Sequence, residues 1–443
     1  MMAKAGQPTQ ISPSTTPPPR GLVWVIARKE LLDHLLSLKF HVCVVAMALL
    51  LGLSGFVMYR DYQLRMENFA VMRERAKPRP GEAGLMAVVE PRPLSIFAKG
   101  LDEVMDRGYT ITAYVGIEPH DRQTPAVSLF ALFAPPDLLY IVKALLSLIA
   151  VLFAYDTVSG EKESGTLKLV LGSAVSRAQL VAAKMLGGLA AVMLPFVALW
   201  VGVLAALATR PEISLDGADF SRLGFMLLAS LLYVAGFFAL GVLVSALARS
   251  SAGALMVLLF LWATLVFAVP NVGHLIAEQI APLPSAETQE LLRMQAFAKD
   301  RFLAIQSREG DRVRSSELFN REYDRLVEDY RAKLDGMLGI SKAFTRLSPA
   351  ATLTYIFTDL AGTGLAEQRR VSRALMDYKN RNLPALVRQY EPGSAPPPAF
   401  EFQPARLGEI LQQGVLTDFM ILGFTCAALF VGAVWAFLAV DPR

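Results

Sequence analysis

The chain has 443 residues, of which 54% are hydrophobic and only 19% charged, with a net charge of +4. An average soluble domain carries about 25% charged residues, so this composition excludes intrinsic disorder and argues against a water-soluble globule. No basic run is interleaved with aromatics, which argues against nucleic acid as a partner, and two cysteines in apolar stretches, Cys43 and Cys426, are too few for a disulfide framework or a cysteine metal site.

Residues 1–20 are polar and end in a Pro-rich run, which reads as a flexible tail without the apolar core and cleavage site of a removable signal peptide. Residues 21–40 read as an amphipathic helix lying in the membrane surface. Within it Trp24, Leu31, Leu35 and Leu38 share one face, and Lys29, Glu30, Asp33 and Ser37 share the other. Arg28 falls on the apolar arc and snorkels. The cluster Arg28, Lys29, Glu30 and Asp33 is too costly in lipid for a plain continuation of the first span.

Six apolar stretches can span: 41–59, 138–155, 185–208, 223–248, 251–270 and 419–440. About 20 apolar residues cross the hydrocarbon, where the backbone must bond to itself, so all six are expected to be helices. Pro195 predicts a kink in the third. The short flanks carry Arg20, Arg28, Lys29, Lys39, Lys162, Lys168, Arg177, Lys184 and Arg249 on one side; the short loop 209–222 on the other carries Arg210 and Arg222. This asymmetry predicts that both termini are cytoplasmic and that the long segments 60–137 and 271–418 are extracytoplasmic.

In the first long segment, 94–107 reads as a helix and 109–117 as a strand, giving a small α/β domain. In the second, Phe319, Tyr323, Leu326, Tyr330, Leu334 and Met337 form one amphipathic stripe. A weaker stripe runs through Leu291, Met294, Ala298, Phe302 and Ile305, with Ser307 to Arg312 as the turn between them. The expectation is a larger helical domain built on a hairpin, with 393–398 as the linker to the sixth span. The fold class is therefore an all-α polytopic membrane protein of six transmembrane helices, an N-terminal interfacial helix and two extracytoplasmic domains.

Several chemistries are missing from the sequence. It contains no HExxH, no GxSxG elbow and no Gly-Lys dipeptide, hence no phosphate-binding P-loop. If the protein uses ATP, another chain must bind it. Lys143 is the one charge well inside a span, six residues after Asp137. Its stem can lift the ammonium to the interface, which is favoured over a contact with substrate in a translocation path.

The most informative stretch follows the second span, at 156–184. It contains Asp156, Gly160-Glu161-Lys162-Glu163, Gly165-Thr166-Leu167 and Val175-Ser176-Arg177. The charged half, 156–163, cannot stay in lipid. A short helix then presents Leu167, Val170 and Leu171 on one face, and Ser176 with Gln179 forms a capping box that starts the next helix. The chain leaves the membrane, lays down a helix and re-enters, so a push on this segment reaches two spans.

This pattern resembles the type 2 ABC exporter (ABC-2) permease family, whose second span runs into D-x-x-x-G-E-[RK]-E-x-G-T-L and then a P-V-S-R-type turn. Ala174 stands where proline is usual. The resemblance implies that the loop docks on a separate ABC ATPase subunit, which holds ATP and Mg. This chain then carries no cofactor, metal or catalytic residue. Coupling falls on Asp156, Gly160, Glu161, Lys162, Glu163, Gly165, Thr166, Leu167, Val170 and Arg177. Glu161 and Glu163 are assigned polar contacts with the ATPase, and Leu167 and Val170 the apolar anchor. Arg28-Lys29-Glu30 look like the family's interfacial start. The stretches Pro93-Leu94-Ser95-Ile96-Phe97-Ala98-Lys99-Gly100-Leu101, Leu347-Ser348-Pro349 and Leu360-Ala361-Gly362-Thr363-Gly364 are similar to a subgroup of copper-enzyme-maturation and gliding-type permeases with large external insertions. A second permease, identical or related, and the bacterial inner membrane are implied as well.

The leading expectation is thus an exporter permease. The alternative is a membrane scaffold or mechanotransmitter that acts on an extracytoplasmic protein without moving a substrate. A membrane-embedded enzyme is disfavoured, because the sequence offers no nucleophile–base pair.

Overall fold

The computed structural model describes residues 22–77, 85–102, 108–112, 116–119, 136–166, 176–283, 312–388 and 397–439, with Leu291 and Met294. The expected tail, the helix after Thr166 with Leu167 and Val170, most of 287–312 and most of the 393–398 linker lie outside these residues.

In chain order the helices are α1 (Leu22–Leu35), α2 (Leu38–Arg75), α3 (Leu138–Glu163), α4 (Arg177–Ala208), α5 (Gly217–Leu247), α6 (Ser251–Ile280), α7 (Arg312–Thr345), α8 (Pro349–Ala361), α9 (Leu365–Arg388) and α10 (Leu407–Leu438). Among the described residues six are long and apolar enough to cross a membrane, namely α2 to α6 and α10. Each contains one of the expected spans. The protein is an all-α polytopic membrane protein. With 38 residues, α2 is about 57 Å long, nearly twice the hydrocarbon thickness of about 30 Å, so it projects well beyond any bilayer it crosses.

Ser37 makes the elbow between α1 and α2. Its hydroxyl donates to the His34 carbonyl at 2.7 Å, closing α1, and accepts from the Phe40 N–H at 3.2 Å, opening α2. The face that α1 presents to the protein differs from the expected apolar face. Trp24 and Leu38 are 73% and 80% exposed, whereas Ala27 is buried and Glu30 turns inward. The cause is a close approach to α4: a Cβ on Gly187 would lie 2.5 Å from the Ala27 carbonyl oxygen. Only a glycine there lets the two backbones meet.

The centre of the helical core is α5, packed against α3, α4, α6, α8 and α10, with Tyr233, Phe237 and Phe238 buried. Two interior polar side chains here find partners. A π-helical segment at Ile141–Leu146 loosens the α3 ladder, and the Lys143 carbonyl there accepts from the Tyr233 hydroxyl at 2.8 Å. The Trp262 indole N–H of α6 donates to Ser147 of α3 at 2.9 Å. Helix α4 runs through Pro195 as one helix.

The two long insertions share a core. Strands β1 (Leu85–Val88), β2 (Gly108–Thr112) and β3 (Gly116–Pro119) form an antiparallel sheet in sequence order, with Leu85 opposite Ile111 and Ile111 opposite Ile117. Leu85, Ala87 and Ile111 pack with Val371, Leu375, Tyr378 and Leu386 of α9. The expected small α/β domain and helical domain are therefore fastened into one body. The single strand expected at 109–117 is a hairpin. Of the helix expected over 94–107, residues 103–107 lie outside the described residues, and 94–102 is corrected to a 3-10 turn at Pro93–Ile96 followed by turns through Asp102. That segment is held by a tertiary contact: Thr363 donates to the Ala98 carbonyl, and the Leu101 N–H donates to the Thr363 carbonyl, both at 2.9 Å. Three stretches singled out in the sequence thus meet, because Ser348 caps α8 and Gly362 (φ +70°) ends it just before Thr363. The α7 stripe is half-buried at Leu326, Tyr330, Leu334 and Met337, and α7 packs on α6 and α9.

Gly100 sits at φ +51°, and a Cβ there would lie 2.7 Å from the Thr363 carbonyl oxygen. Gly100→Ala is expected to lower stability by about 2 kcal/mol or more. Limited proteolysis should show faster cleavage of the 85–119 region, with the six spans unaffected.

Candidate functional site

The described part of the 156–184 segment is stitched to the surrounding elements. At the end of α3, Ser159 donates to the Tyr155 carbonyl at 2.9 Å. The buried Ser245 hydroxyl of α5 accepts from the Val158 and Ser159 N–H groups at 3.1 and 3.0 Å. The Lys162 ammonium donates to the Ala246 carbonyl and, at 3.1 Å, to the Ala248 carbonyl. A cation there satisfies carbonyls that the end of α5 leaves unpaired. The Glu163 carboxylate does the reverse at the start of α6, accepting from the Ser251 N–H at 3.1 Å and its hydroxyl at 2.8 Å. Gly165, at φ +71°, supplies the left-handed residue that stops the short terminal turn.

Two lysines complete the site. Lys184 of α4 is 5% exposed and lies between Glu161 at 2.8 Å and Glu30 of α1 at 2.9 Å. Lys39 of α2 donates to the Leu152 carbonyl at 2.7 Å, lies 3.9 Å from Asp156, and stands 4.9 and 5.2 Å from the Phe153 and Tyr155 ring centroids. Burial, with Lys39 nearby, lowers the pKa of His34 on α1, so that imidazole is neutral at pH 7. Arg177 reaches the Leu438 carbonyl of α10 at 3.3 Å.

The structure thus brings Asp156, Gly160, Glu161, Lys162 and Glu163 together with Glu30, while Arg28 and Lys29 face outward. Glu161 and Glu163 hold partners within the chain rather than pointing free. Glu163, Ser164, Gly165 and Thr166 are exposed. Lys39, Lys184, Ser245 and Ser251 were not singled out in the sequence. The two lysines read there only as flank charges, and nothing in the serines' local pattern marks them. Lys143 lies elsewhere, 5.6 Å from the Tyr140 ring centroid and one turn toward Asp137, in the direction a snorkelling lysine takes.

A second polar cluster stands at the far ends of α8 and α10. Asp418, fully buried, pairs with Lys342 of α7 at 3.0 Å and with Arg346, in the turn after α7, at 2.7 Å. Near the end of α8, burial pushes the Asp359 carboxyl up to about 6; Asp418 adds to the rise, and Lys342 and Arg370 oppose it.

Two outcomes follow from these clusters. Lys184→Met strands two half-buried carboxylates, with an expected cost of about 3 kcal/mol. Adding Glu30→Gln and Glu161→Gln should recover most of it, read as the apparent melting temperature in detergent. For Asp359 the folded pKa lies above the unfolded one, so the folded state holds the proton more tightly. The contribution of Asp359 is then fully present below about pH 4 and is lost, by up to about 3 kcal/mol, as pH rises through 6. Asp359→Asn should flatten that slope in a pH series of melting curves.

The chain is 37% identical over 140 residues to the probable ABC transporter permease protein NosY of Pseudomonas aeruginosa, a match covering 30% of this chain and 51% of that protein. It therefore spans about half the length of that curated relative. A family model described as ABC-2 family transporter protein matches residues 24–441, nearly the whole chain. The chain belongs to the ABC-2 family of transporter proteins.

Proposed function

We propose that this chain is the permease subunit of an ATP-driven ABC exporter, with both termini and the 156–184 segment in the cytoplasm of a bacterial cell. Two separate ATPase subunits hold ATP and Mg and dock on this segment. A second copy of the chain, or a related permease, completes the path. The observation that carries the reading is the convergence of α1, α2, α4, α5 and α6 on the loop through Glu30, Lys39, Lys184, Ser245 and Ser251. A docking loop that only anchored a partner needs no such ties; one that moves spans does.

The assignment of roles within the loop follows from exposure. Ser164, Gly165 and Thr166 are free to meet the ATPase, with Leu167 and Val170 next in the chain. Asp156, Glu161, Lys162 and Glu163 pass the displacement on to the helices they grip. The spans carry few polar groups, which suits hydrophobic or lipid-like cargo.

A mechanotransmitting role is the second reading. It draws on the two insertions sharing one core, and on that body being tied to α3 by the Lys99 N–H, which donates to Asp137 at 2.9 Å. Motion of the spans then reaches an extracytoplasmic surface whether or not a substrate passes. ATP-dependent flux into liposomes separates the two: flux supports export, and its absence with intact ATPase stimulation supports the mechanical reading.

Thr166→Arg, at the tip, is expected to weaken co-purification of the ATPase tenfold or more with no change in melting temperature. The Glu30→Gln, Lys184→Met, Glu161→Gln triple variant should keep ATPase binding but lose most ATP-driven work. Unchanged transport in the triple variant would overturn the coupling assignment.

A further inference from the structure

A groove of about 350 Å3 runs between α2 and α4. Ala48, Gly52 and Gly55 line it on one side, and Ala198, Gly202 and Ala206 on the other. Its floor lacks side chains: nothing lies within 4 Å of where a Cβ would stand on Gly52 or Gly202. At Gly55 the helices touch, with Val203 3.4 Å from where a Cβ would stand, and they part around Gly52 and Gly202. Both helices are spans, so the groove opens to the hydrocarbon.

One end of the groove is polar. The Arg210 guanidinium stands 5.4 Å from the Tyr59 ring centroid. The Tyr59 hydroxyl donates to Glu212 at 3.0 Å and accepts from Gln63 at 2.8 Å. Glu212, the acid of this cluster, is thus turned to the phenol, and among the described residues Arg210 has no ion-pair partner. Arg210 begins the loop between α4 and α5, so its charge sits where a span gives way to water.

Size decides the occupant. From Ala48 to Tyr59 the groove follows α2 for about 16 Å. A helix about 10 Å across, laid along that length, needs on the order of 1,200 Å3. An extended alkyl chain, about 4.5 Å across at van der Waals contact, needs roughly 250 Å3. Only the second fits. An apolar slot of one chain's width that ends on an unpaired guanidinium matches an amphiphile with one acyl tail in the slot and an anionic head.

We propose that the α2–α4 groove is a binding site for an anionic phospholipid, with one acyl chain along Gly52 and Gly202 and its phosphodiester on Arg210. The site is separate from the 156–184 segment and does not depend on the coupling assignment. Arg210 selects the headgroup, and the glycines make room for the chain.

The test is native mass spectrometry of the full chain, exchanged into micelles with equimolar dioleoylphosphatidylglycerol and dioleoylphosphatidylcholine. Wild type is expected to retain the anionic lipid over the zwitterionic one by about fivefold, which corresponds to about 1 kcal/mol for one Arg at the interface. Arg210→Gln should bring that ratio near one. Gly202→Leu fills open space without meeting protein and favours the helix. It should cut retained lipid severalfold while leaving melting temperature and oligomeric state as in wild type. A ratio near one in wild type, or no change in either variant, would overturn the proposal. So would a shift of oligomeric state in Gly202→Leu, which would assign the groove to a second copy instead.

Discussion

The rest of the loop geometry depends on one buried cation. Lys184 sits near the start of α4 with two carboxylates, Glu161 and Glu30, within 3 Å. A lone ammonium at that burial is expensive, and two unpaired carboxylates beside it are no better. The three charges stabilise one another only while α1, α3 and α4 keep this arrangement. The triad therefore contributes specificity of placement more than net stability. It holds a helix that precedes the first span to a loop that follows the second, across more than a hundred residues of sequence.

The same logic explains the neighbouring ties. Lys162 and Glu163 are adjacent residues of opposite charge, and each goes to the helix end that wants it. The cation meets the carbonyl end of α5 and the anion meets the N–H end of α6. The turn joining α5 and α6 is thereby gripped from both sides by one dipeptide. An exchange of the two residues would place each charge against the wrong end of a helix. This physical requirement accounts for the order of charges in the Gly160–Glu163 run without reference to any partner.

Much of the membrane fold was legible in the sequence, and the reason is dielectric. Lipid forbids unpaired backbone, so six apolar stretches had to be helices, and each lies in one. The loop motif was legible as well, because charges such as Asp156 and Glu161 cannot follow an apolar run into hydrocarbon. Its internal partners were not. Lys184 and Lys39 carry the same signature as any positive flank, and their pairing depends on the rotation of α1 about its axis. That rotation is set by Gly187, whose missing side chain says nothing locally about what approaches it. The insertions were the least legible. Residues 94–107 have helical spacing, but Pro93, Gly100 and the carbonyl of Thr363 bind that segment into turns, and a contact with residue 363 has no trace near residue 100.

The two polar clusters are built on different helices, α1 to α4 for the one around Lys184 and α7, α8 and α10 for the one around Asp418, and their composition differs. Around Lys184 the charges lie near the tip of a loop that is exposed from Glu163 to Thr166. A partner can reach the tip without dehydrating the triad behind it. Around Asp418 the acid is fully buried, and its two cations come from the end of α7 and the turn after it, outside the spans. Breaking that contact leaves a charge in the protein interior, so α7 and α10 must move together. Between the clusters α3, α5 and α6 are cross-tied by Tyr233 to Lys143 and by Trp262 to Ser147. These ties bridge α3 to α5 and α6 at and just after the π-helical segment Ile141–Leu146. These polar contacts stand in an otherwise apolar interior, where each is costly to break.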